Sequence, residues 1–234
     1  MLLGARKVML VALCAVAMSF SKNDTLYVKS SVGLSSVVGV WNGAKKKAPG
    51  PVVIWFHGGM TSSNCEKGLT AGRDLSEWLP NYTVVSVSAC RQNHWLTSTA
   101  MEWVDAALDS IGGRQGAEVR EVSMVGISDG SLGVIAYSLY GRRGGKSRVL
   151  MSSYGKILGE AKDVASQPKV KTGKWMFIQG GKDRLYPSDE TVPWIESFCK
   201  FSGADCDLKF DPQGEHDWSY WQKNHKKWIL QSFL

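Results

Sequence analysis

The chain has 234 residues, 44% hydrophobic and 21% charged, a length and composition that fit one folded domain and exclude an intrinsically disordered chain. Its formal charge is +7, but the basic residues are scattered apart from short runs such as Lys45-Lys46-Lys47 and Lys226-Lys227. With no aromatic-basic stripe beside those runs, nucleic acid is not an expected partner.

Arg6 and Lys7 precede an apolar run, Val8 to Met18, and Ala15-Val16-Ala17 and Ala17-Met18-Ser19 place small residues at cleavage spacing. This reads as a signal peptide over residues 1–19, because the run falls short of the roughly 20 residues a spanning helix needs. Residues 20–234 are then expected to form one secreted or periplasmic domain, with no stable membrane insertion after signal removal. Thr25 to Val28 and Ser36 to Trp41 are β-prone, and Gly43 to Pro51 is a turn-rich connection. Val52 to Phe56 is continuously apolar and stops at His57-Gly58-Gly59, as a strand buried on both faces of a parallel sheet does. Strands of the same form are expected at Thr83 to Val87, Glu121 to Val125, Val149 to Ser152 and Lys174 to Ile178, and a last one at Asp207 to Phe210. Helical periodicity falls between them, at Thr70 to Leu79, Ser98 to Ile111, Ser131 to Tyr140, Thr191 to Phe201 and Ser219 to Phe233. Strands alternating with helices predict an α/β fold, a mainly parallel sheet with helices on both faces.

Leaving out Cys14, four cysteines remain, an even number that suits an oxidising compartment. Cys199 and Cys206 flank a short helix-to-strand connection, and Cys65 and Cys90 follow two neighbouring strands, so these two pairs are the expected bridges. No cysteine or histidine spacing matches a zinc site.

Gly126-Ile127-Ser128-Asp129-Gly130 has the form G-x-S-x-G, with a strand entering it and a helix leaving it. That setting lifts a serine hydroxyl above a sheet on a tight turn, where the glycines remove Cβ atoms that would collide. A nucleophilic serine needs a base and an acid to orient it, in this fold in the chain order serine, acid, histidine. Only His216 and His225 follow Ser128. His216 lies in a loop just after the last expected strand, at the sheet edge where Ser128 emerges, whereas His225 sits on a helix among lysines. His216 is therefore the expected base. Asp183, in the loop after the strand at Lys174 to Ile178, is the expected acid. Asp189 is a reserve that helix capping explains, and Asp217 adjoins His216 too closely in sequence to hold the ring from behind. The backbone amide of Asp129 and one from Gly59 or Met60 are expected to form the oxyanion hole, with His57 bracing that loop.

Together His57-Gly58-Gly59, the elbow at Ser128, Gly181-Lys182-Asp183 and Gly214-Glu215-His216 resemble the α/β-hydrolase superfamily. The segment His216-Asp217-Trp218-Ser219-Tyr220-Trp221 is similar to the histidine segment of secreted esterases, including the esterase-D-like, feruloyl-esterase and polyhydroxybutyrate-depolymerase groups. The resemblance implies a serine hydrolase acting through an acyl-enzyme. The 55 positions from Ser128 to Asp183 leave no room for a large lid, which suits a short-chain or polymer-borne carboxylic ester. His94, Trp95 and Trp218 are candidate substrate contacts, since aromatic groups stack on sugar or phenolic rings. No metal or organic cofactor is implied. A peptidase, amidase or acyltransferase would use the same triad, and a non-catalytic binding protein can share the fold.

Overall fold

A computed structural model of the chain describes residues 23–43, 45, 47–59 and 61–233. The expected signal peptide and Met60 lie outside the described residues. The strands are β1 (Asn23–Lys29), β2 (Ser35–Asn42), β3 (Val52–Phe56), β4 (Thr83–Val87), β5 (Glu121–Ile127), β6 (Gly144–Met151), β7 (Lys174–Gly180) and β8 (Asp205–Asp211). They form one eight-stranded sheet of order β1-β2-β4-β3-β5-β6-β7-β8. β1 pairs antiparallel with β2, β2 antiparallel with β4, and every other neighbour pair is parallel. The helices are α1 (Gly68–Ala71), α2 (Arg73–Trp78), α3 (Ser98–Gln115), α4 (Asp129–Tyr140), α5 (Ala161–Ala165), α6 (Ser188–Ser202) and α7 (Trp218–Gln231).

The continuously apolar strands feed two cores, because successive side chains of a strand point to opposite faces. Ile54, Phe56, Val85, Met124, Leu150 and Phe177 join one core with residues of α3, α4, α5 and α6. Their sequence neighbours Val53, Trp55, Val84, Val125, Val149 and Met176 join the other, closed by Leu75 of α2 and by Trp221 and Ile229 of α7.

Three elements depart from the sequence expectation. The helix expected over Thr70 to Leu79 is two short helices meeting at Gly72, where a Cβ would lie 2.5 Å from the Trp41 ring. β6 starts at Gly144, five residues before the expected Val149, through a Gly-Gly-Lys-Ser-Arg stretch that carries no apolar signal. The connection from β6 to β7 contains a 3₁₀ turn at Lys156–Leu158 and the five-residue α5, and no large lid. Cys65 is bonded to Cys90, and Cys199 to Cys206, the expected pairs. Among the described residues no helix is long and apolar enough to cross a membrane. The parallel strands end at one edge of the sheet, so the loops after β3, β5, β7 and β8 gather there.

Candidate active site

Ser128 links β5 to α4 with φ 56° and ψ −129°, a conformation that non-glycine residues adopt only when their surroundings impose it. Hydrogen bonds across to β6 impose it. Ser128 N–H donates to Met151 O at 2.9 Å, and Ser131 N–H donates to Ser128 O at 2.9 Å. Ser131 Oγ donates to Met151 O (3.0 Å) and accepts from Met151 N–H (2.9 Å). Space imposes it as well. A Cβ on Gly130 would stand 1.9 Å from Phe56 O, and one on Gly126 2.4 Å from Gly130 O. Only glycine lets the turn close at those two positions.

Asp183 follows β7 and is buried. Its Oδ1 accepts N–H bonds from Leu185 (3.0 Å) and Tyr186 (2.9 Å), and its Oδ2 lies 2.9 Å from His216 Nδ1. An Nδ1–H given to the carboxylate leaves Nε2 with its lone pair, ready to take a proton. The His216 side chain keeps 19% of its surface exposed, so the ring is oriented from behind and open in front. Tyr186 stacks on it, with ring centroids 5.6 Å apart and planes 11° from parallel. The Tyr186 hydroxyl donates to Asp129 Oδ1 at 3.1 Å, and burial pushes the phenol up to about 12, so it stays protonated. No hydrogen bond joins Ser128 Oγ to His216. Asp183 and His216 are thus in contact while Ser128 shares their edge of the sheet. Hydrogen bonds of that kind commonly close only with substrate in place.

The acid and base loops are also tied to each other. Asp211, the last residue of β8, accepts Gly181 N–H and Gly214 N–H at its carbonyl, both at 2.9 Å, and Lys182 N–H donates to Gly214 O at 2.9 Å. The Asp211 carboxylate accepts from Gln213 N–H (2.8 Å), from Tyr220 OH (2.5 Å) and from the His225 ring (2.6 Å). Burial raises its pKa, but those three bonds outweigh burial and hold it below the usual carboxylate range. Asp211, Tyr220 and His225 were not singled out as a group by sequence. The available signal was an aspartate at a strand end five residues before the candidate base. His225 is half-buried: it breaks the helical geometry of α7 and stacks on Trp228 at 3.8 Å.

Gly59 follows β3 in the left-handed region at φ 66°, and a Cβ on Gly58 would lie 3.3 Å from Ser128 Cβ. The segments carrying the Gly59 and Asp129 amides therefore flank the serine. His57 braces the first of them. Its Nδ1 donates to Gly58 O at 2.9 Å and its Nε2 accepts Ala89 N–H at 3.0 Å. Burial drives its pKa down to about 4, so the ring is neutral with both nitrogens occupied. Lys67 Nζ lies 3.3 Å from Gly58 O and 3.5 Å from Gly59 O. The Cys65–Cys90 disulfide fastens this loop to the one after β4.

The aromatic candidates bond to protein groups. Trp95 is fully buried, edge-on to Phe56, and its Nε1–H donates to His57 O at 2.9 Å. His94 Nδ1 accepts from Leu96 N–H at 3.3 Å. Trp218 packs between Trp55 and Trp78, and its indole N–H donates to Asp74 at 3.1 Å. Two cavities open at the site. One of about 670 Å³ is lined by residues 181–185 with Glu215 and His216. The other, of about 380 Å³, lies between Asp129, Leu132, Tyr154, Lys156, Ile157 and Tyr186. Among the described residues no group of three or more histidine, cysteine or acidic side chains could hold a metal ion.

No family model and no curated protein sequence matches the chain. Solved structures do. A cold-adapted esterase from an Arctic intertidal metagenomic library has a TM-score of 0.64 at 16% identity, covering 90% of this chain and 93% of that one. Est1E from Butyrivibrio proteoclasticus has a TM-score of 0.63 at 14% identity, covering 89% and 98%. The acylaminoacyl peptidase of Pyrococcus horikoshii has a TM-score of 0.62 at 14% identity, and here the match spans 90% of this chain but 41% of the peptidase. Identities this low carry architecture alone, and by its architecture the chain has the α/β-hydrolase fold.

Proposed function

We propose that the protein is an exported serine hydrolase that cleaves carboxylic esters, with Ser128 as nucleophile, His216 as base and Asp183 as the acid that orients it. The observation that carries this reading is the Asp183–His216 hydrogen bond at the same sheet edge as the strained turn of Ser128. His216 Nε2 takes the Ser128 proton as Oγ bonds to the carbonyl carbon, and the Gly59 and Asp129 amides receive the oxyanion. The imidazolium then gives that proton to the departing alkoxide, which leaves as the alcohol. Water attacks the acyl-enzyme, His216 takes its proton and returns it to Ser128 Oγ, and the carboxylic acid is released. Asp183 holds the ring by its Nδ1 throughout. Two disulfides and the leader-like residues 1–19 support export.

The test is a panel of nitrophenyl esters with matching anilides, run on wild type and Ser128→Ala, alongside labelling by a fluorophosphonate. Ester turnover and labelling should both vanish in the variant. Equal turnover by the two proteins defeats the proposal, and a preference for anilides redirects it to a peptidase or amidase.

A further inference from the structure

We infer that the ester carries an unbranched alkyl chain of about a dozen carbons, seated in a groove that runs from the nucleophile along α4; this rests on the esterase reading above. Besides the cavity beside Asp129, an apolar cavity of about 590 Å³ lies between α3 and α4, walled by Trp95, Leu96, Met101, Ala106, Ala136 and Leu158. The two cavities share no lining residue but follow one another along the same two elements. On α4, Leu132 lines the first, and Ala136, one turn on, lines the second. On the facing 3₁₀ turn, Ile157 lines the first and Leu158 the second. Asp129, Leu132, Ala136 and Tyr140 follow at the three- and four-residue spacing that places side chains on one helix stripe.

Length and chemistry specify the occupant. Asp129 to Tyr140 spans eleven residue steps of α4, about 16 Å at 1.5 Å per step. An extended chain advances about 1.2 Å per bond, judged from about 3.5 Å for the three backbone bonds of a residue, so about a dozen carbons fill the groove. The charged side chains of the cavity between α3 and α4 are already engaged. Glu102 accepts from Ser31 N–H (2.6 Å) and Ser31 Oγ (3.0 Å), and Asp105 pairs with Arg142 at 3.2 Å. What they leave for a ligand is apolar wall. Ile157 and Tyr140, each 67% exposed, stand beside it like open jambs. The short interval between Ser128 and Asp183 holds no large lid and so suits a short-chain or polymer-borne ester. A groove on the flank of α4 needs none.

The experiment measures kcat/KM for nitrophenyl esters of C2 to C16 acids, and for acetates of C2 to C16 alcohols, which separates a chain on the acyl side from one on the alcohol side. In one series kcat/KM should climb to about C12, at least a hundredfold above the C2 member, since each enclosed methylene is worth up to about fourfold. Ala136→Phe should lower the C12-to-C2 ratio at least tenfold. Ala136 is buried, so Ala106→Trp, on the opposite wall and half-buried, is the second variant and should lower the same ratio. A decline from C2 onward in both series, or variants that leave the ratio unchanged, overturns the groove while the esterase reading stands. No turnover of any ester, acetates included, overturns both.

Discussion

Asp183 and Asp105 are both buried carboxylates, 4% and 6% exposed, yet their partners have little in common. Asp105, on α3, accepts the Tyr137 hydroxyl at 2.6 Å and pairs with Arg142 (3.2 Å) and Arg143 (3.4 Å). Asp109, one turn on, binds the same two guanidiniums; burial raises its pKa, but both arginines pull it below the usual carboxylate range. Burial first, and then the bond to Asp105, pushes the Tyr137 phenol far above its ordinary value. A guanidinium never gives up its proton near neutral pH, and neither does this phenol. The cluster therefore locks α3 to the segment after α4. Asp183 instead takes two backbone N–H groups and one imidazole. The comparison teaches that burial alone marks no site. What sets Asp183 apart is an imidazole partner that keeps 19% of its surface exposed.

The largest expected effect tests that contrast at the active site. Asp183→Asn keeps an acceptor for Leu185 and Tyr186 but presents an amide to His216, so the ring turns to the tautomer that cannot accept from Ser128. Ester kcat should fall about 10⁴-fold while the melting temperature moves little; near-wild-type turnover would refute the assignment of the acid. Next in size, Asp105→Ala strips the buried Tyr137 hydroxyl of its acceptor and leaves the Arg143 guanidinium with Asp109 as its remaining carboxylate. It should cost about 3 kcal/mol in denaturant unfolding, with turnover of a C2 ester per folded molecule retained. A loss of turnover at full stability would show that the two clusters are not independent.

The unequal legibility of the molecule has the same root. The elbow was readable because its requirement is local: two glycines, each against a named backbone atom. The meeting of Asp183 with His216 was readable because strand ends fix which loops meet. The start of β6 was not, because its inward residue is Arg148, a fully buried cation that carries no apolar signal. Arg148 is held by Ser138 Oγ (2.7 Å) and Thr172 O (2.7 Å) and sits 4.3 Å over the Trp175 ring, and burial lowers its pKa to about 10. Those partners come from α4 and from the residues around the start of β7, and no short window of sequence contains them. Trp95 and Trp218 show the same limit. Both lie in loops or at helix starts near the site, and only tertiary packing decides that their N–H groups point to His57 and Asp74.

His57 offers a contrast within the active-site edge itself, a histidine whose environment forbids the role of His216. Its folded pKa of about 4 lies below the 6.5 of an exposed ring. As pH falls, the unfolded chain takes up the proton first. The stability tied to the neutral ring is therefore full above about pH 6.5 and is lost between pH 6.5 and 4, a total of about 3 kcal/mol. Urea unfolding midpoints at pH 7, 5.5 and 4 should fall steeply in wild type and less steeply in His57→Gln. Parallel curves would mean that His57 is protonated in the folded protein.

The smallest expected effect concerns Asp211, which touches neither the serine nor the ring and works only through the loops that carry them. Its carbonyl holds Gly181 and Gly214 at 2.9 Å, and its carboxylate ties that junction to Tyr220 and His225 of α7. Misplacing a catalytic group by about 1 Å can cost a hundredfold, and a loosened carboxylate should shift the loops by less, since the carbonyl bonds remain. Asp211→Ala should therefore lower kcat about tenfold with KM nearly constant. Asp211→Asn, still an acceptor for Tyr220, should recover most of that loss. Both are read well below the melting temperature, where a residue that merely adds stability would leave kcat untouched. A lower melting temperature with wild-type kcat would place Asp211 with Asp105, as a fastener of the fold.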